Sequence, residues 1–427
     1  MAIVNSRPGD KVKLRLALEE VEGTVLESPD PSSILLKLNS GYNIGIPQEN
    51  ILGGKITQHY HEESPPEFQL KKRKELASIG LVITGGTIAS KLDPRTGGVK
   101  PLTDLNELQR FYPDLFEIAN VKRIEMPFKI ASESMSAEHW ITIAKAVKSL
   151  LDDPEIKGVV VTHGTDFLHY TSAALSFFLR DLSKPVVLTY SQRSIDRASS
   201  DAHLNLQCAT RMALSDAAEV MVVGHATLND DYCYALRGTK VKKMHSSRRD
   251  AFQPINESPI AKIFTNKIIF QASYKKRTNK TTQGDIGFSD RIALLKFYPG
   301  QDPNILDFYA SHYSGIIIEA SGLGHLPVNE AQHNWLPKLK KYIRGGFIVC
   351  AVSQTIVGRV DPYVYSNGRE LLDAGIIFLE DMTAETAFVK LGWVLSHHGW
   401  KKHVKERMLE NVAGELSQRL PVTDNIL

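Results

Sequence analysis

Residues 81–87, Leu-Val-Ile-Thr-Gly-Gly-Thr, join a short apolar run to two glycines and a hydroxyl side chain. Such continuous apolar runs are typical of strands buried on both faces of a parallel sheet. Paired glycines allow backbone angles and close approaches that a side chain would prevent. The segment predicts a buried strand that presents Thr87 at its carboxyl end, where α/β sheets bind their ligands. By itself it is also typical of a tight turn or a phosphate-binding loop.

After this strand, further short apolar runs alternate with amphipathic segments. Apolar runs lie at 159–161, 186–188 and 220–223, and amphipathic segments lie at 137–151, 173–182 and 202–214. Strands that alternate with helices predict a doubly wound α/β domain over residues 76–290. A second α/β domain is predicted over 291–427. Its apolar runs lie at 315–318, 346–349 and 375–378, and its last helices are predicted at 384–395 and 403–409.

The amino-terminal part has a different pattern, with short β-type segments and no helix between them. These segments lie at 11–16, 21–26, 34–38 and 42–46, and the last two flank an Asn-Ser-Gly hairpin signal. They predict a small β-barrel of the SH3 or Tudor type, which forms residues 1–75 together with a linker. Such a barrel serves either as a docking or RNA-contacting module or as a packing or dimerisation appendage.

Composition sets broad limits on the class of protein. The chain has 427 residues, of which 42% are hydrophobic and 23% charged, as in soluble globular proteins. Its 51 basic and 48 acidic side chains leave a net charge of +3, which neither requires nor excludes nucleic acid. We expect a cytoplasmic protein without a membrane segment. The three cysteines lack metal-ligand spacing, so no metal site is expected.

A second hydroxyl motif ends the next apolar run. Residues 162–166 read Thr-His-Gly-Thr-Asp, and Thr165 is expected beside Thr87 if the two strands are neighbours. Asp166 fits either an activating role or a helix cap. A threonine hydroxyl is a poor nucleophile until a base takes its proton, and a lysine serves if burial lowers its pKa.

Both motifs resemble a known family. Residues 84–88 (Thr-Gly-Gly-Thr-Ile) and 163–166 (His-Gly-Thr-Asp) are similar to the two signatures of bacterial-type L-asparaginases. The resemblance implies two asparaginase-like parallel-sheet domains and amide hydrolysis by a threonine nucleophile. It makes Thr87 the nucleophile, with Thr165 and Asp166 in the relay that positions and deprotonates the attacking group. Which threonine attacks first stays open.

The resemblance also implies a catalytic lysine. The family pattern places the catalytic lysine at Lys243, close to Lys242 and Lys240. Successive residues of an extended segment face opposite sides, so Lys243 and Lys242 do not both point inward. We expect Lys243 to be the buried base of the three.

Substrate contacts follow from the same resemblance. It implies that Gly86, Ser132, Glu133 and Gly164 bind the substrate, with Ser132 and Glu133 at its amino and carboxylate ends. Residues 91–100 match the family's mobile lid but lack the tyrosine that the lid usually supplies. We therefore expect a partner to order this lid.

Further segments of the chain resemble a narrower family. The extra amino-terminal domain and residues 93–99, 366–372 and 408–415 resemble the D subunits of archaeal glutamyl-tRNA(Gln) amidotransferases. In that ligase the D subunit releases ammonia from L-glutamine. A separate E subunit activates Glu-tRNA(Gln) with ATP and Mg²⁺, so no cofactor is expected in this chain. The resemblance further implies that the chain pairs with itself and forms a two-plus-two heterotetramer.

Two other functions remain as alternatives. One is a freestanding cytosolic L-asparaginase or glutaminase with an added amino-terminal domain, which would work without partner or tRNA. The other is a non-catalytic RNA-binding or scaffold protein on an inactive asparaginase fold. Intact Thr87, Thr165 and Asp166 argue against the scaffold, and the absence of the usual lid tyrosine argues against the freestanding enzyme.

Overall fold

A computed structural model describes residues 5–61, 73–92, 99–101, 105–195, 197, 199–329 and 331–420. The linker is predicted at 59–74, and most of it, residues 62–72, lies outside the described residues. The centre of the predicted lid, residues 93–98, also lies outside them. The described chain forms an amino-terminal antiparallel sheet followed by two α/β domains. In this part of the chain no helix has the length and apolar character needed to cross a membrane.

The amino-terminal domain is a five-stranded antiparallel sheet. Its strands are β1 (Lys11–Arg15), β2 (Glu20–Leu26), β3 (Ser33–Leu38), β4 (Asn43–Pro47) and β5 (Gly53–Gln58). They are ordered β4-β3-β2-β1-β5, so β1 lies inside the sheet and pairs with both β2 and β5. Alternate side chains of β1, Val12 and Leu14, are fully buried with Leu36 of β3 in a separate small core. The alternation in the sequence therefore marks the inner face of this sheet.

The first α/β domain carries most of the secondary structure. Its elements are β6 (Ser78–Ile83), β7 (Ser90–Leu92), β8 (Val99–Pro101), α1 (Leu105–Phe111), α2 (Leu115–Ile118), β9 (Asn120–Glu125), α3 (Ala137–Leu151), β10 (Ile156–Thr162), α4 (Leu168–Phe178), β11 (Leu179–Arg180), β12 (Val186–Thr189), α5 (Ala202–Leu214), β13 (Val220–His225), β14 (Cys233–Arg237), β15 (Val241–Lys243), β16 (Phe252–Pro254), β17 (Ala261–Ile263), β18 (Ile268–Phe270) and β19 (Gln283–Gly284). Its main sheet is ordered β18-β17-β14-β13-β12-β10-β6-β9. The strands β9, β6, β10, β12 and β13 are parallel to one another. Strands β14, β17 and β18 extend the sheet in antiparallel fashion.

Helices cover both faces of this sheet, which explains the continuous apolar runs. Val159 and Val161 of β10 belong to the core that contains α3 and α4, whereas Val160 belongs to the core that contains α5. Side chains along a strand alternate between faces, so a strand covered on both sides needs apolar residues at every position. The predicted parallel α/β domain is confirmed.

The second α/β domain has a smaller parallel sheet. Its elements are β20 (Ile292–Lys296), α6 (Ile305–His312), β21 (Gly315–Ala320), α7 (Leu336–Arg344), β22 (Ile348–Ser353), α8 (Ser366–Asp373), β23 (Ile377–Phe378), α9 (Ala384–Leu395) and α10 (Val404–Leu409). The strands follow one another in the order β20-β21-β22-β23. Helix α9 packs against α4, and the rings of Phe177 and Trp393 stack with centroids 5.5 Å apart. The two α/β domains thus share one apolar core.

Candidate active site

The two hydroxyl motifs leave the sheet side by side. Strands β6 and β10 are parallel neighbours, and Ile83 is paired with Thr162. One residue further on, the backbone N–H of Thr84 donates to the Thr162 carbonyl at 3.3 Å, and the Thr84 hydroxyl donates to it at 2.9 Å. The expectation that these strands are neighbours is confirmed, and both loops start from one edge of the sheet.

Gly86 brings the two loops into direct contact. Its φ of +82° lies in the region that side chains rarely adopt. A Cβ added there would lie 2.6 Å from the backbone N of Gly164 and 2.7 Å from the carbonyl carbon of His163. Thr87 follows immediately and begins a 3₁₀ turn, Thr87–Ala89, in which it is half-buried. The glycine therefore lets the segment that carries Thr87 lie against the turn that carries Thr165.

Lys243 connects the second motif to a distant part of the chain. Its Nζ donates to the Thr165 Oγ1 at 2.8 Å and to the Asp166 Oδ1 at 2.7 Å. The Lys243 side chain is 9% exposed, whereas that of Asp166 is 60% exposed. The helix-cap interpretation of Asp166 is wrong, because Phe167 is the N-cap of α4 and this described helix start has no side-chain cap bond. The Asp166 carboxylate binds the lysine instead.

The neighbouring lysines bind other carboxylates. Lys240 is fully buried and donates to the Asp381 Oδ2 at 2.5 Å, while Lys242 pairs with Glu385. Lys243 and Lys242 thus point in different directions, as expected of an extended segment. Burial does not single out Lys243, however, because Lys240 is the most buried of the three. Asp381 and Glu385 were not identified from the sequence, since about 140 residues separate them from these lysines.

The predicted substrate-binding residues occupy a third loop beside the first two. Ser132 begins a 3₁₀ turn, Ser132–Ser134, and is buried, whereas Glu133 on the same turn is exposed. The Ser132 Oγ accepts a hydrogen bond from the Phe167 N–H at 3.4 Å. A Cβ added at Gly164 would lie 3.0 Å from that oxygen. Gly86 therefore lies against Gly164, and Gly164 lies against Ser132, so that the three loops pack side by side.

His163 supports the second motif from within. Its Nδ1 donates to the Gly164 carbonyl at 2.7 Å, and its Nε2 accepts from the Thr171 hydroxyl of α4 at 2.9 Å. Burial lowers the pKa of His163 to about 4, so the imidazole is neutral at neutral pH. In a neutral ring that donates from Nδ1, the Nε2 is left to accept from the Thr171 hydroxyl. His163 belonged to the motif, but the sequence did not reveal its supporting role.

The arrangement can activate an oxygen nucleophile. The Thr165 hydroxyl is hydrogen-bonded to the Lys243 side chain, which is also hydrogen-bonded to the Asp166 carboxylate. The segment that carries Thr87 lies against the same turn. Such a set can take up a proton and return it during acyl transfer. Within the described residues no group of three or more His, Cys, Asp or Glu side chains is placed to hold a metal ion.

Comparison with known families assigns a description to each part of the chain. A family model described as "GatD N-terminal domain" matches residues 6–56. The models described as "Asparaginase, N-terminal" and "Glutaminase/Asparaginase C-terminal domain" match residues 78–276 and 291–408.

Individual relatives match over almost the whole length. The chain is 46% identical to the D subunit of the glutamyl-tRNA(Gln) amidotransferase of Pyrococcus furiosus, over 97% of this chain and 93% of that protein. The corresponding D subunit of Thermococcus kodakarensis is also 46% identical, with the same coverage. Among solved structures, the thermostable L-asparaginase of Thermococcus kodakarensis superposes with a TM-score of 0.71 at 32% identity. The match covers 80% of this chain and 100% of the asparaginase.

Proposed function

The chain belongs to the family of glutamyl-tRNA(Gln) amidotransferase D subunits, and we propose that it releases ammonia from glutamine for the amidation of Glu-tRNA(Gln). One observation carries the proposal. A complete hydroxyl–amine–carboxylate set, Thr165, Lys243 and Asp166, lies in an asparaginase-like fold that also has the amino-terminal domain of this family. Retention of this set favours an active amidohydrolase over a scaffold on an inactive fold.

In the proposed mechanism Thr87 attacks the amide carbon of the glutamine side chain. Its hydroxyl proton is transferred to the leaving nitrogen, the C–N bond breaks, and ammonia departs from a glutamyl ester. A water molecule then attacks the ester carbon, glutamate leaves, and the Thr87 hydroxyl is restored. Lys243 takes up and returns the proton in these steps through Thr165, and Asp166 orients the lysine. The short Lys243–Thr165 and Lys243–Asp166 bonds support these roles.

The packing of the three loops supports the substrate-binding roles that the family resemblance implies. We propose that Ser132 and Glu133 hold the amino and carboxylate ends of glutamine, while Gly86 and Gly164 leave room for its amide. Both glycines are closely surrounded by backbone or by Ser132, so a larger side chain at either position would displace the loops. No cofactor is needed for this hydrolysis.

The amidation itself is assigned to the partner. We propose that this subunit pairs with itself and with an E subunit in a two-plus-two heterotetramer. The E subunit activates Glu-tRNA(Gln) with ATP and Mg²⁺ and receives the ammonia. The tRNA is then bound mainly by the partner, and the complex works in the cytoplasm, where aminoacyl-tRNA is used.

The test is ammonia release from glutamine by the purified chain, alone and with the partner subunit, ATP, Mg²⁺ and Glu-tRNA(Gln). The proposal expects ammonia release in the complete mixture and formation of Gln-tRNA(Gln). A freestanding asparaginase or glutaminase would instead hydrolyse its amide equally well alone and form no Gln-tRNA(Gln). Absence of ammonia release under every condition would contradict both enzymatic functions.

A further inference from the structure

The strand that carries Lys243 has little support of its own. Strand β15 has three residues, and among the described strands it pairs only with β16, in a two-stranded ribbon separate from the main sheet. A lone two-stranded ribbon is marginally stable. The position of the Lys243 amine therefore depends on what holds this ribbon.

The second α/β domain supplies that support. The Thr386 hydroxyl of α9 donates to the Thr239 carbonyl at 2.9 Å, just before β15. The carboxylate of Asp381 binds Lys240, and that of Glu385 binds Lys242. Three contacts from 381–386 thus fasten the segment that leads to Lys243.

Glu385 also faces the helix that follows the second motif. Its Oε1 lies 3.9 Å from the His169 Nε2 of α4, three residues after Asp166. The Glu385 side chain is 11% exposed, and its Oε2 has no hydrogen-bond partner in the described part of the chain. The Glu385 carboxylate therefore lies between Lys242, which precedes Lys243, and helix α4, which follows Asp166.

The charges around this carboxylate come from several elements. Lys242 (β15) and His169 (α4) face it, Lys243 (β15) contributes positive charge nearby, and Glu319 (β21) and Lys296 (β20) lie beside it on the second α/β domain. Burial opposes the charge of Glu385, but the positive charge of Lys242 lowers its pKa below the ordinary range, so it stays ionised. Burial also lowers the pKa of His169 to about 4, so that ring is neutral. Lys242 and Glu385 are therefore a mutually neutralised pair.

We propose that Glu385 is a positioning residue for the amide hydrolysis. By neutralising Lys242, it fixes strand β15 so that the Lys243 amine reaches Thr165 and Asp166. The second α/β domain is thus part of the catalytic apparatus through one buried carboxylate. This inference rests on the proposed function, because it concerns the same proton transfer.

The test is the pH dependence of kcat/KM for glutamine hydrolysis in the full complex. In Glu385→Gln the Lys242 ammonium is left unpaired, and a second positive charge close to it is disfavoured. Lys243 then loses its proton more readily, so the rise of activity with pH moves about one pH unit lower. We expect kcat to fall about tenfold as well, because the ribbon loses an anchor.

The double variant Lys242→Met/Glu385→Gln separates charge from packing. It removes both charges, so its pH midpoint returns to that of the wild type while kcat stays reduced. Glu385→Asp keeps the carboxylate and should keep the wild-type midpoint. A merely structural role would lower the melting temperature in these variants and leave the midpoint where it was.

Glu415→Gln is the matched control. Glu415 and Lys390 form another buried pair on the second α/β domain, 2.6 Å apart and fully buried, and Lys390 lies on the same helix as Glu385. This variant should lower the melting temperature and leave the midpoint unchanged. If Glu385→Gln leaves the pH midpoint where it was, the positioning role is wrong. Should that variant not fold, a double variant with the kcat of the wild type would overturn the role instead. A wild-type complex that releases no ammonia would overturn the proposed function instead.

Discussion

At the scale of single residues, the three lysines near the site differ in which partners their backbone positions let them reach. An ammonium has three donors, and Lys243 uses two of them on a hydroxyl and a carboxylate. Lys240 donates to Asp381 in the interior, and Lys242 donates to Glu385. The chemistry at position 243 therefore comes from the presence of Thr165, and not from greater burial.

We predict that Thr87→Ala and Thr165→Ala each nearly abolish glutamine hydrolysis and leave the fold intact. Loss of a nucleophile or of its relay costs about three or more orders of magnitude in rate, because the members act as a unit. Single-turnover ammonia release measures the loss, and circular dichroism checks the fold. Retention of activity within about tenfold in either variant would remove that threonine from the mechanism.

Thr189→Ala is the control for both threonine variants. Thr189 ends β12, the neighbour of β10, and its hydroxyl donates to the Val223 carbonyl at 2.9 Å. The variant loses a buried strand-end hydroxyl that is bonded to the adjacent strand rather than to the site. It should cost about 1 kcal/mol of stability and leave the rate of glutamine hydrolysis nearly unchanged.

Alanine at each lysine in turn should separate a catalytic role from a structural one. Lys243→Ala is expected to reduce kcat most, because it removes the group bonded to Thr165. Lys240→Ala leaves Asp381 buried without its partner, which typically costs about 3–5 kcal/mol, so its main effect is on the melting temperature. Activity and thermal melts measured on the same preparations separate the two effects. If Lys243→Ala were the mildest of the three for kcat, Lys243 would not be the base.

At the scale of elements, periodicity predicts helix α3 well, because only one of its faces is buried. The predicted segments 137–151, 202–214 and 384–395 coincide with α3, α5 and α9. The prediction of a helix at 173–182 is shifted, because α4 spans Leu168–Phe178. All of its residues except Tyr170 are buried, so it has no polar stripe that would mark its limits. Strand β5 was missed because Gly-Gly-Lys-Ile-Thr-Gln has only one large apolar residue to mark a buried face.

The site was predictable where its residues belong to local motifs. Residues 84–87 and 163–166 each follow a buried strand, and parallel strands end at the same edge of a sheet. Glu385 and Asp381 lie outside both motifs, on the second α/β domain. Their link to Lys242 and Lys240 arises only when α9 packs on α4, which no local pattern encodes.

Gly86→Ala tests the contact between the two motif loops. The added methyl group would meet the backbone of His163 and Gly164, and φ at +82° disfavours any side chain. The loops must move apart, and a misplacement of about 1 Å costs roughly 100-fold in rate. We expect a large fall in kcat with a small change in melting temperature. Gly41→Ala is a control, because that glycine also has positive φ but has open space around it.

At the scale of the whole molecule, two buried histidines make stability depend on pH. Burial lowers the pKa of both His163 and His169 to about 4. The unfolded chain takes up these protons near pH 6.5, before the folded chain does. Stability is therefore fully present above about pH 6.5, declines as the pH falls, and reaches its lowest value below about pH 4.

The expected loss is about 3 kcal/mol for each histidine over that interval. Urea unfolding at several pH values measures it. His169→Gln should flatten the decline, because one of the two depressed groups is gone, while a substitution at the exposed His403 should not. An equally steep decline in His169→Gln would show that other groups control the acid sensitivity.

The last prediction concerns when the assembled enzyme works. Ammonia released from glutamine without a waiting acceptor would be wasted, so we expect the isolated chain to be a poor glutaminase. A partner with bound Glu-tRNA(Gln) need favour one loop state by only a few kcal/mol to raise turnover about 100-fold. The paired strands β7 and β8 form the two ends of the predicted lid, and their amides should become more protected from hydrogen exchange in the complex. Uncharged tRNA serves as the control and should stimulate weakly. Full turnover by the chain alone, unchanged when partner and Glu-tRNA(Gln) are added, would rule out this coupling and favour an independent amidohydrolase.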